Sequence, residues 1–126
     1  KILGIGVDII KIKELRIKLK IISLKIESTL NELKLSTSSK NKVGYFSKRF
    51  AAKEAFAKAL GTGFRNNLNF KDIEILNDKI GKPYFFRSKK INNIIFKRFK
   101  TKRFNLFLSI SDEKDYSVAF TILQTK

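Results

Sequence analysis

The sequence predicts an α+β fold in which a mostly antiparallel sheet packs against one long central helix. Three observations favour this class: an alternating apolar run at the N-terminus, an alanine-rich stretch at 45–60, and two alternating runs near the C-terminus that flank a polar turn. With 126 residues, 43% of them hydrophobic and only one Pro, the chain corresponds to one domain over residues 1–126 with a sizeable core.

The N-terminal run KILGIGVDII has the period of a strand. One face carries Leu3, Ile5, Val7 and Ile9, and the other carries Ile2, Gly4, Gly6 and Asp8. Glycine inside a strand leaves space for a close neighbour, so we expect something to approach the backbone on the second face. The commoner interpretation of such a pattern is a strand-end Asp next to a bulge.

Residues 11–44 give a mixed signal. Apolar positions in 11–35 fit helical spacing and also alternate, and we favour a helix. Thr29 followed by Glu32 predicts a capping box that opens a further short helix. The polar stretch STSSKNKVG at 36–44 predicts a loop.

The clearest helix is predicted at 45–60, ending at Gly61. Ala52, Ala55, Phe56 and Ala59 form an apolar stripe whose small side chains suit tight packing on a sheet, while Glu54, Lys58 and Gly61 fall on the opposite side. From the spacing alone, Glu54 and Lys58 are most simply interpreted as a solvated i,i+4 ion pair.

The remainder predicts a series of short elements. A strand at 72–76 and another at 83–87 flank a turn at 77–82, and Pro83 stands at a strand start, where proline is tolerated. Apolar residues at 91, 94, 95 and 99 predict a basic amphipathic helix. Strands at 104–110 and 116–122 then pair around the polar turn at 111–115.

Composition limits the chemistry. The chain has no Cys and no His, which excludes disulfides, structural zinc, thiol nucleophiles and imidazole catalysis, and leaves carboxylates, Lys, Arg, hydroxyls and a hard cation such as Mg²⁺. The net charge of +17 attracts polyanions, whether nucleic acid, an acidic protein or a phosphorylated small molecule. Asp8, Lys11 and Lys13 interrupt the N-terminal apolar run, so we expect no membrane span or secretory signal and a cytoplasmic protein.

Four segments combine into a specific set: GIGVDII at 4–10, RFAAKEAFAKALGTGF at 49–64, DIEILNDKIGKPYF at 72–85 and LSISDEKDYSVAF at 108–120. In this order they resemble the holo-[acyl-carrier-protein] synthase family of 4′-phosphopantetheinyl transferases. The first two motifs at this spacing are highly specific, unlike a lone glycine-rich loop. Larger members of the superfamily carry two such units in tandem, and this chain resembles the single-unit type, which implies homotrimers with active sites at subunit interfaces.

The resemblance implies a transferase of fatty acid biosynthesis. The phosphopantetheine arm of coenzyme A would pass to a serine of apo acyl carrier protein, with release of adenosine 3′,5′-bisphosphate. The nucleophile then belongs to the protein substrate, which agrees with an enzyme that lacks Cys and His. Coenzyme A and the acidic carrier protein would be the two anionic partners of the positive charge.

The resemblance also implies roles for single residues. Asp8 and Glu54 match the carboxylates that bind Mg²⁺, and one of them would take the serine proton. Lys58 matches the lysine that stabilises the pyrophosphate and the leaving group. Arg49 matches a contact to coenzyme A phosphate.

Further cofactor contacts are implied in two turns. Gly61 and Gly63 would let backbone N–H groups approach the cofactor, although a plain helix end also explains Gly61. Pro83 resembles a residue near the cofactor, with a strand-start proline as an equal alternative.

The partner surface departs from the family pattern. The helix after Asp8 normally offers Arg to the carrier protein; Glu14 stands at one such position, so Lys13, Arg16 and Lys20 are the partner-binding candidates. Asp112 replaces a common nucleotide-binding His, which leaves the contacts there open.

Two alternative functions are a small basic nucleic-acid-binding domain and a non-catalytic module for an acidic partner. The sequence contains no nucleic-acid motif, which counts against the first alternative. The second alternative leaves Asp8 and Glu54 without a role.

Overall fold

The computed structural model describes residues 1–14, 42–65 and 67–126. In chain order the elements are strand β1 (Ile2–Lys11), helix α1 (Lys42–Leu60), a 3₁₀ turn (Phe70–Asp72), strands β2 (Ile75–Asn77) and β3 (Pro83–Phe85), helix α2 (Lys89–Phe99), and strands β4 (Phe104–Asp112) and β5 (Tyr116–Thr125). The predicted α+β class is confirmed: β1, β5 and β4 form one antiparallel sheet in that order, and β2 pairs with β3.

Helix α1 packs on the face of β1 that carries the glycines. A Cβ atom placed on Gly4 would lie 1.7 Å from the Ala59 carbonyl oxygen, and one on Gly6 would lie 1.8 Å from the Ala55 carbonyl oxygen. The neighbour that approaches the β1 backbone is therefore the backbone of α1. The prediction that small residues let this helix sit tightly on the sheet is confirmed.

The start of α1 differs from the prediction. The helix begins at Lys42, so residues 42–44 are helical and the predicted loop at 36–44 is wrong there. The Gly44 carbonyl accepts a hydrogen bond of 3.0 Å from the Ser47 hydroxyl, which contacts the Ser117 hydroxyl of β5. The rest of that loop, the Thr29 and Glu32 capping box, and all of the predicted 11–35 helix beyond the helical residues 12–14 lie outside the described residues.

The core surrounds α1, which is buried on most of its circumference. It gathers small residues of α1 with aliphatic and aromatic side chains from the sheet and from α2: Ile10, Ala51, Ala52, Ala55, Phe56, Leu60, Leu68, Ile73, Ile75, Phe85, Ile91, Ile95, Phe104, Leu108, Ala119 and Leu123. The sheet, the β2–β3 pair and α2 all lie around α1. Few positions of α1 therefore remain for the polar stripe predicted on the side opposite its apolar stripe.

The opposite face of the sheet is apolar and exposed. Side chains from all three strands form this outer face: Ile5, Val7, Ile9, Phe107, Tyr116 and Phe120. Ile9 has 65% of its surface exposed. Ile5, Val7 and Ile9 of the crowded face therefore do not contribute to the core, which uses the glycine face instead. Leu3 packs against the core, next to a shift of the strand register between Ile2 and Gly4.

Strand β2 begins three residues later than predicted. Asp72 belongs to the 3₁₀ turn, where its carboxylate accepts the Asn69 N–H at 2.8 Å and the Lys90 ammonium at 2.6 Å. These two bonds hold residue 72 in the 3₁₀ turn, and the strand starts at Ile75. Strand β3 ends at Phe85, because Ser88 already caps α2 by accepting the Ile91 N–H. Strands β4 and β5 extend slightly beyond their predicted ends.

Candidate active site

Asp8 and Lys58 meet where β1 lies against α1. The Lys58 ammonium donates to an Asp8 carboxylate oxygen at 3.2 Å and to the Val7 carbonyl oxygen at 3.1 Å. The Asp8 side chain is 16% exposed, and the Lys58 side chain is 54% exposed. This pair exists because the glycines before Asp8 let the helix approach the strand.

Glu54 precedes Lys58 by one turn of α1 and is partly buried. The spacing of four residues places both side chains on the same side of the helix. The next residue, Ala55, carries the carbonyl oxygen that lies against Gly6, two residues before Asp8 on the same face of β1. The structure therefore brings Asp8 and Lys58 together at one junction between strand and helix, and the helical spacing places Glu54 on the same side of α1 as Lys58.

The donor set at this junction fits Mg²⁺. Asp8 and Glu54 offer carboxylate oxygens, which are the ligands that hard divalent cations prefer. Among residues 1–14, 42–65 and 67–126, no group of three acidic, Cys or His side chains comes together. A cation bound by these two carboxylates would need water or phosphate oxygens as its other ligands, an arrangement typical of Mg²⁺.

Gly61 and Gly63 close the C-terminal end of α1. Both have left-handed backbone angles, with φ of 82° and 63°. The Gly61 N–H donates to the Lys58 carbonyl at 3.0 Å, and the Gly63 N–H donates to the Ala57 carbonyl at 3.3 Å. The helix end therefore explains both glycines structurally, including Gly63, which the sequence left unexplained; their contact with a cofactor stays a prediction.

Arg49 is buried, with 5% of its surface exposed. Its guanidinium donates to the Asn77 side-chain oxygen and stacks over the Tyr45 ring at 3.9 Å from the centroid. Asn77 in turn donates to the Gly81 carbonyl at 2.9 Å. Arg49 thus supports the turn between β2 and β3 from the inside of the molecule, and its contact with phosphate stays a prediction.

Pro83 is the first residue of β3, as predicted. It lines a groove of about 280 Å³ together with Tyr84 and Phe107. The groove reaches the apolar outer face of the sheet through Phe107 and Phe120. A cofactor contact at Pro83 therefore stays a prediction, and the strand-start interpretation accounts for its position.

The partner-binding candidates fall at the edge of the described region. Lys13 is exposed just beyond β1, and Arg16 and Lys20 lie outside the described residues. A contact missed by the sequence reasoning joins Asp112, at the end of β4, to Lys48 of α1 at 3.7 Å. No local signal could have found it, because 64 positions separate the two residues.

Residues 4–121 match the family model of the 4′-phosphopantetheinyl transferase superfamily, and the chain belongs to this superfamily. The holo-[acyl-carrier-protein] synthase of Pelagibacter ubique (strain HTCC1062) is 57% identical, over 100% of this chain and 99% of that protein. The resemblance predicted from the four motifs is confirmed.

Solved structures agree with this assignment. The crystal structure of the holo-[acyl-carrier-protein] synthase from Neisseria meningitidis superposes with a TM-score of 0.90 at 36% identity, covering 99% of this chain and 100% of that one. The Bacillus anthracis str. Ames enzyme, in complex with CoA (3′,5′-ADP), gives 0.82 at 33% identity, covering 99% and 98%. Neither helix in the described part of the chain is long and apolar enough to span a membrane.

Proposed function

We propose that this chain is a holo-[acyl-carrier-protein] synthase. It transfers the 4′-phosphopantetheine arm of coenzyme A to a serine hydroxyl of apo acyl carrier protein and releases adenosine 3′,5′-bisphosphate. The observation that carries the proposal is the Asp8–Lys58 pair at the junction of β1 and α1, within a chain whose whole length matches holo-[acyl-carrier-protein] synthases. The enzyme is one domain over residues 1–126, and its cytoplasmic location stays a prediction from the sequence.

Lys58 neutralises the pyrophosphate of coenzyme A. Transfer of a phosphoryl-type group depends mainly on positioning and on neutralising negative charge, and a preorganised cation serves both. Two contacts support this role, because the Val7 carbonyl and the Asp8 carboxylate hold the ammonium at the edge of the molecule while leaving it half exposed. An incoming anion can therefore reach a cation that is already in place.

Asp8 and Glu54 would hold Mg²⁺, and one of the two carboxylates receives the serine proton. Bound Mg²⁺ supplies further positive charge to the phosphate oxygens. The serine oxygen forms a bond to the phosphorus that bears the pantetheine arm, the bond from that phosphorus to the bridging oxygen breaks, and one of the two carboxylates accepts the hydroxyl proton. Arg49, Gly61, Gly63 and Pro83 complete the coenzyme A contacts in this proposal.

The carrier protein docks on the segment after β1. Lys13 supports this assignment by its exposure two residues beyond the end of β1, and Arg16 and Lys20 follow it in sequence. An acidic partner would be attracted by these bases, and docking there would bring its serine toward Asp8.

A cyclic homotrimer completes the enzyme. The outer face is an exposed apolar surface, and its contact with water is unfavourable. It consists of Ile5, Val7, Ile9, Phe107, Tyr116 and Phe120. In a cyclic assembly each chain would cover this face with a neighbour, and the active sites would lie at the subunit interfaces.

The experiment is a direct transfer assay. The protein is incubated with coenzyme A, Mg²⁺ and apo acyl carrier protein, and the carrier is weighed by mass spectrometry. We expect the carrier to gain one phosphopantetheine group, with omission of Mg²⁺ abolishing most of the gain. A carrier that keeps its apo mass with the wild-type enzyme would overturn the proposal. The nucleic-acid alternative explains the charge but gives no role to the Asp8–Lys58 pair.

A further inference from the structure

Arg98 of α2 contacts the end of α1. Its Nε atom donates to the Leu60 carbonyl oxygen at 3.1 Å, and its Nη2 atom lies 3.4 Å from the position that a Cβ on Gly61 would occupy. The last carbonyls of a helix have no partner within the helix, and a cation beside them also interacts favourably with the helix dipole. The guanidinium thus caps the helix that carries Lys58.

Helix α2 also contacts the 3₁₀ turn that follows α1. The Lys90 ammonium pairs with the Asp72 carboxylate of this turn at 2.6 Å, so α2 contacts the chain both at the end of α1 and at the 3₁₀ turn. Between these points the Phe64 ring stacks on the Phe70 ring, with 4.1 Å between centroids. Ile91 and Ile95 anchor α2 itself in the core.

The contact of Arg98 lies directly beside the candidate cofactor loop, residues 61–63. Leu60 is two residues after Lys58, and the Gly61 N–H bonds to the Lys58 carbonyl. A displacement of the last helical turn would therefore move both the loop and the backbone from which the Lys58 side chain extends toward Asp8.

We propose that Arg98 is a positioning residue for the coenzyme A site. It fixes the last turn of α1 and loop 61–63 without touching the substrate. This inference rests on the proposed function, since loop 61–63 serves coenzyme A only in a phosphopantetheinyl transferase. Arg98 is exposed like the other cations of the basic stretch 97–103, but its side chain donates to the end of α1.

The test compares Arg98→Ala with Lys97→Ala in the full-length enzyme. Lys97 precedes Arg98 on α2, is exposed and has the same charge, so its removal controls for charge and for helix propensity. Hydrogen exchange of the Gly61 and Gly63 amides is measured without ligands. We expect about tenfold faster exchange in Arg98→Ala and no change in Lys97→Ala.

Kinetics then separate positioning from stability. In Arg98→Ala the KM for coenzyme A should rise about five- to tenfold, with kcat and the KM for the carrier protein changed less than twofold. Arg98→Lys keeps the charge at the helix end and should recover part of the KM, and it serves as the test variant if Arg98→Ala does not fold.

Two results would overturn the proposal for Arg98, and a third would contradict the proposed function. Unchanged amide exchange in both Arg98 variants would overturn the anchoring of the loop. Faster exchange with an unchanged KM for coenzyme A would overturn the positioning role. An inactive wild-type enzyme would contradict the proposed function instead, and the exchange measurement would still show whether Arg98 holds the loop.

Discussion

Lys58 is a flexible side chain that the strand holds in one place. A free lysine loses about 2 kcal/mol of rotamer entropy when it becomes fixed, and two acceptors on β1 offset that cost. One acceptor is the Val7 carbonyl, which any residue would supply, and the other is the Asp8 carboxylate. The identity of residue 8 therefore controls the charge balance of the site, while the backbone controls its shape.

Asp8→Asn tests that charge balance. The amide keeps the shape of the side chain but loses the negative charge that pairs with Lys58 and fits Mg²⁺, so we expect at least about a hundredfold loss of transferase rate. The melting temperature should change by only about 2–4 °C, because the pair is partly exposed and contributes little stability. Initial rates from the mass of the carrier and thermal unfolding by circular dichroism measure the two effects.

The matched control is Asp115→Asn, which removes an exposed carboxylate from the turn between β4 and β5. It should leave the rate within twofold of the wild type. Glu54→Gln should behave like Asp8→Asn. Full activity of either site variant at saturating Mg²⁺ would remove that residue from the proposed metal site.

At the scale of elements, β1 and α1 can pack this closely only because two residues of the strand lack side chains. The carbonyl oxygens of Ala55 and Ala59 occupy the space where Cβ atoms of Gly6 and Gly4 would lie. Both partners are backbone, so neither side can move aside by changing a rotamer. The two elements that bear the candidate site can therefore pack at this distance only with glycine at positions 4 and 6.

Gly6→Ala should therefore destabilise the protein by about 3–5 kcal/mol or prevent folding. Gly63→Ala is the control, because no atom lies within 4 Å of its Cβ position and only the left-handed backbone angle opposes it, at about 1–2 kcal/mol. Denaturant unfolding curves of both variants give the comparison. Equal stability of Gly6→Ala and wild type would contradict the close contact between β1 and α1.

The sequence predicted those elements whose signals are local. The period of β1, the alanine-rich α1 and the β4–β5 hairpin are all visible in the sequence, and the glycine face of β1 predicts a close neighbour, which the structure identifies as the backbone of α1. The alternating pattern places Asp72 in a strand because it does not register the local bond from Asn69, three residues earlier. The bond from Lys90 depends on how the chain turns back on α2. For the same reason the contacts of Arg98 with Leu60 and of Lys48 with Asp112 had no signature in the sequence.

For the molecule as a whole, the exposed outer face is the feature that one chain leaves unsatisfied. Contiguous apolar surface of this kind marks association in water-soluble proteins. We expect the wild-type enzyme to sediment as a trimer and the double variant Ile9→Asp with Phe120→Glu to sediment as a monomer with little transferase activity. Both substitutions place charge at the centre of the outer face.

Ile80→Asp controls for the loss of an apolar side chain elsewhere. Ile80 is 89% exposed at the turn between β2 and β3, and these strands are not part of the three-stranded sheet that forms the outer face, so this variant should stay trimeric and active. Analytical ultracentrifugation at several concentrations distinguishes the species. A wild-type enzyme that is monomeric and fully active at nanomolar concentration would refute the assembly.

The positive charge is unevenly spread over the molecule, and this allows its role to be tested by position. Between Asp78 and Asp112 there are ten Lys or Arg residues and no acidic residue, yet the proposed carrier-binding bases, Lys13, Arg16 and Lys20, lie elsewhere. Coulomb attraction is screened within about 8–10 Å at physiological salt, so bases near the docked partner should dominate its affinity.

Reversal of Lys13, Arg16 and Lys20 to Glu should raise the KM for the carrier protein at least about tenfold and leave the KM for coenzyme A within twofold of wild type. The matched variant reverses Lys79, Lys89 and Lys97, which are exposed and change the net charge by the same amount. It should alter the carrier KM less than threefold. Because both variants lower the total charge from +17 to +11, equal damage by the two would mean that net charge alone recruits the carrier. Greater damage by the second would move the docking surface to α2 and the β2–β3 turn.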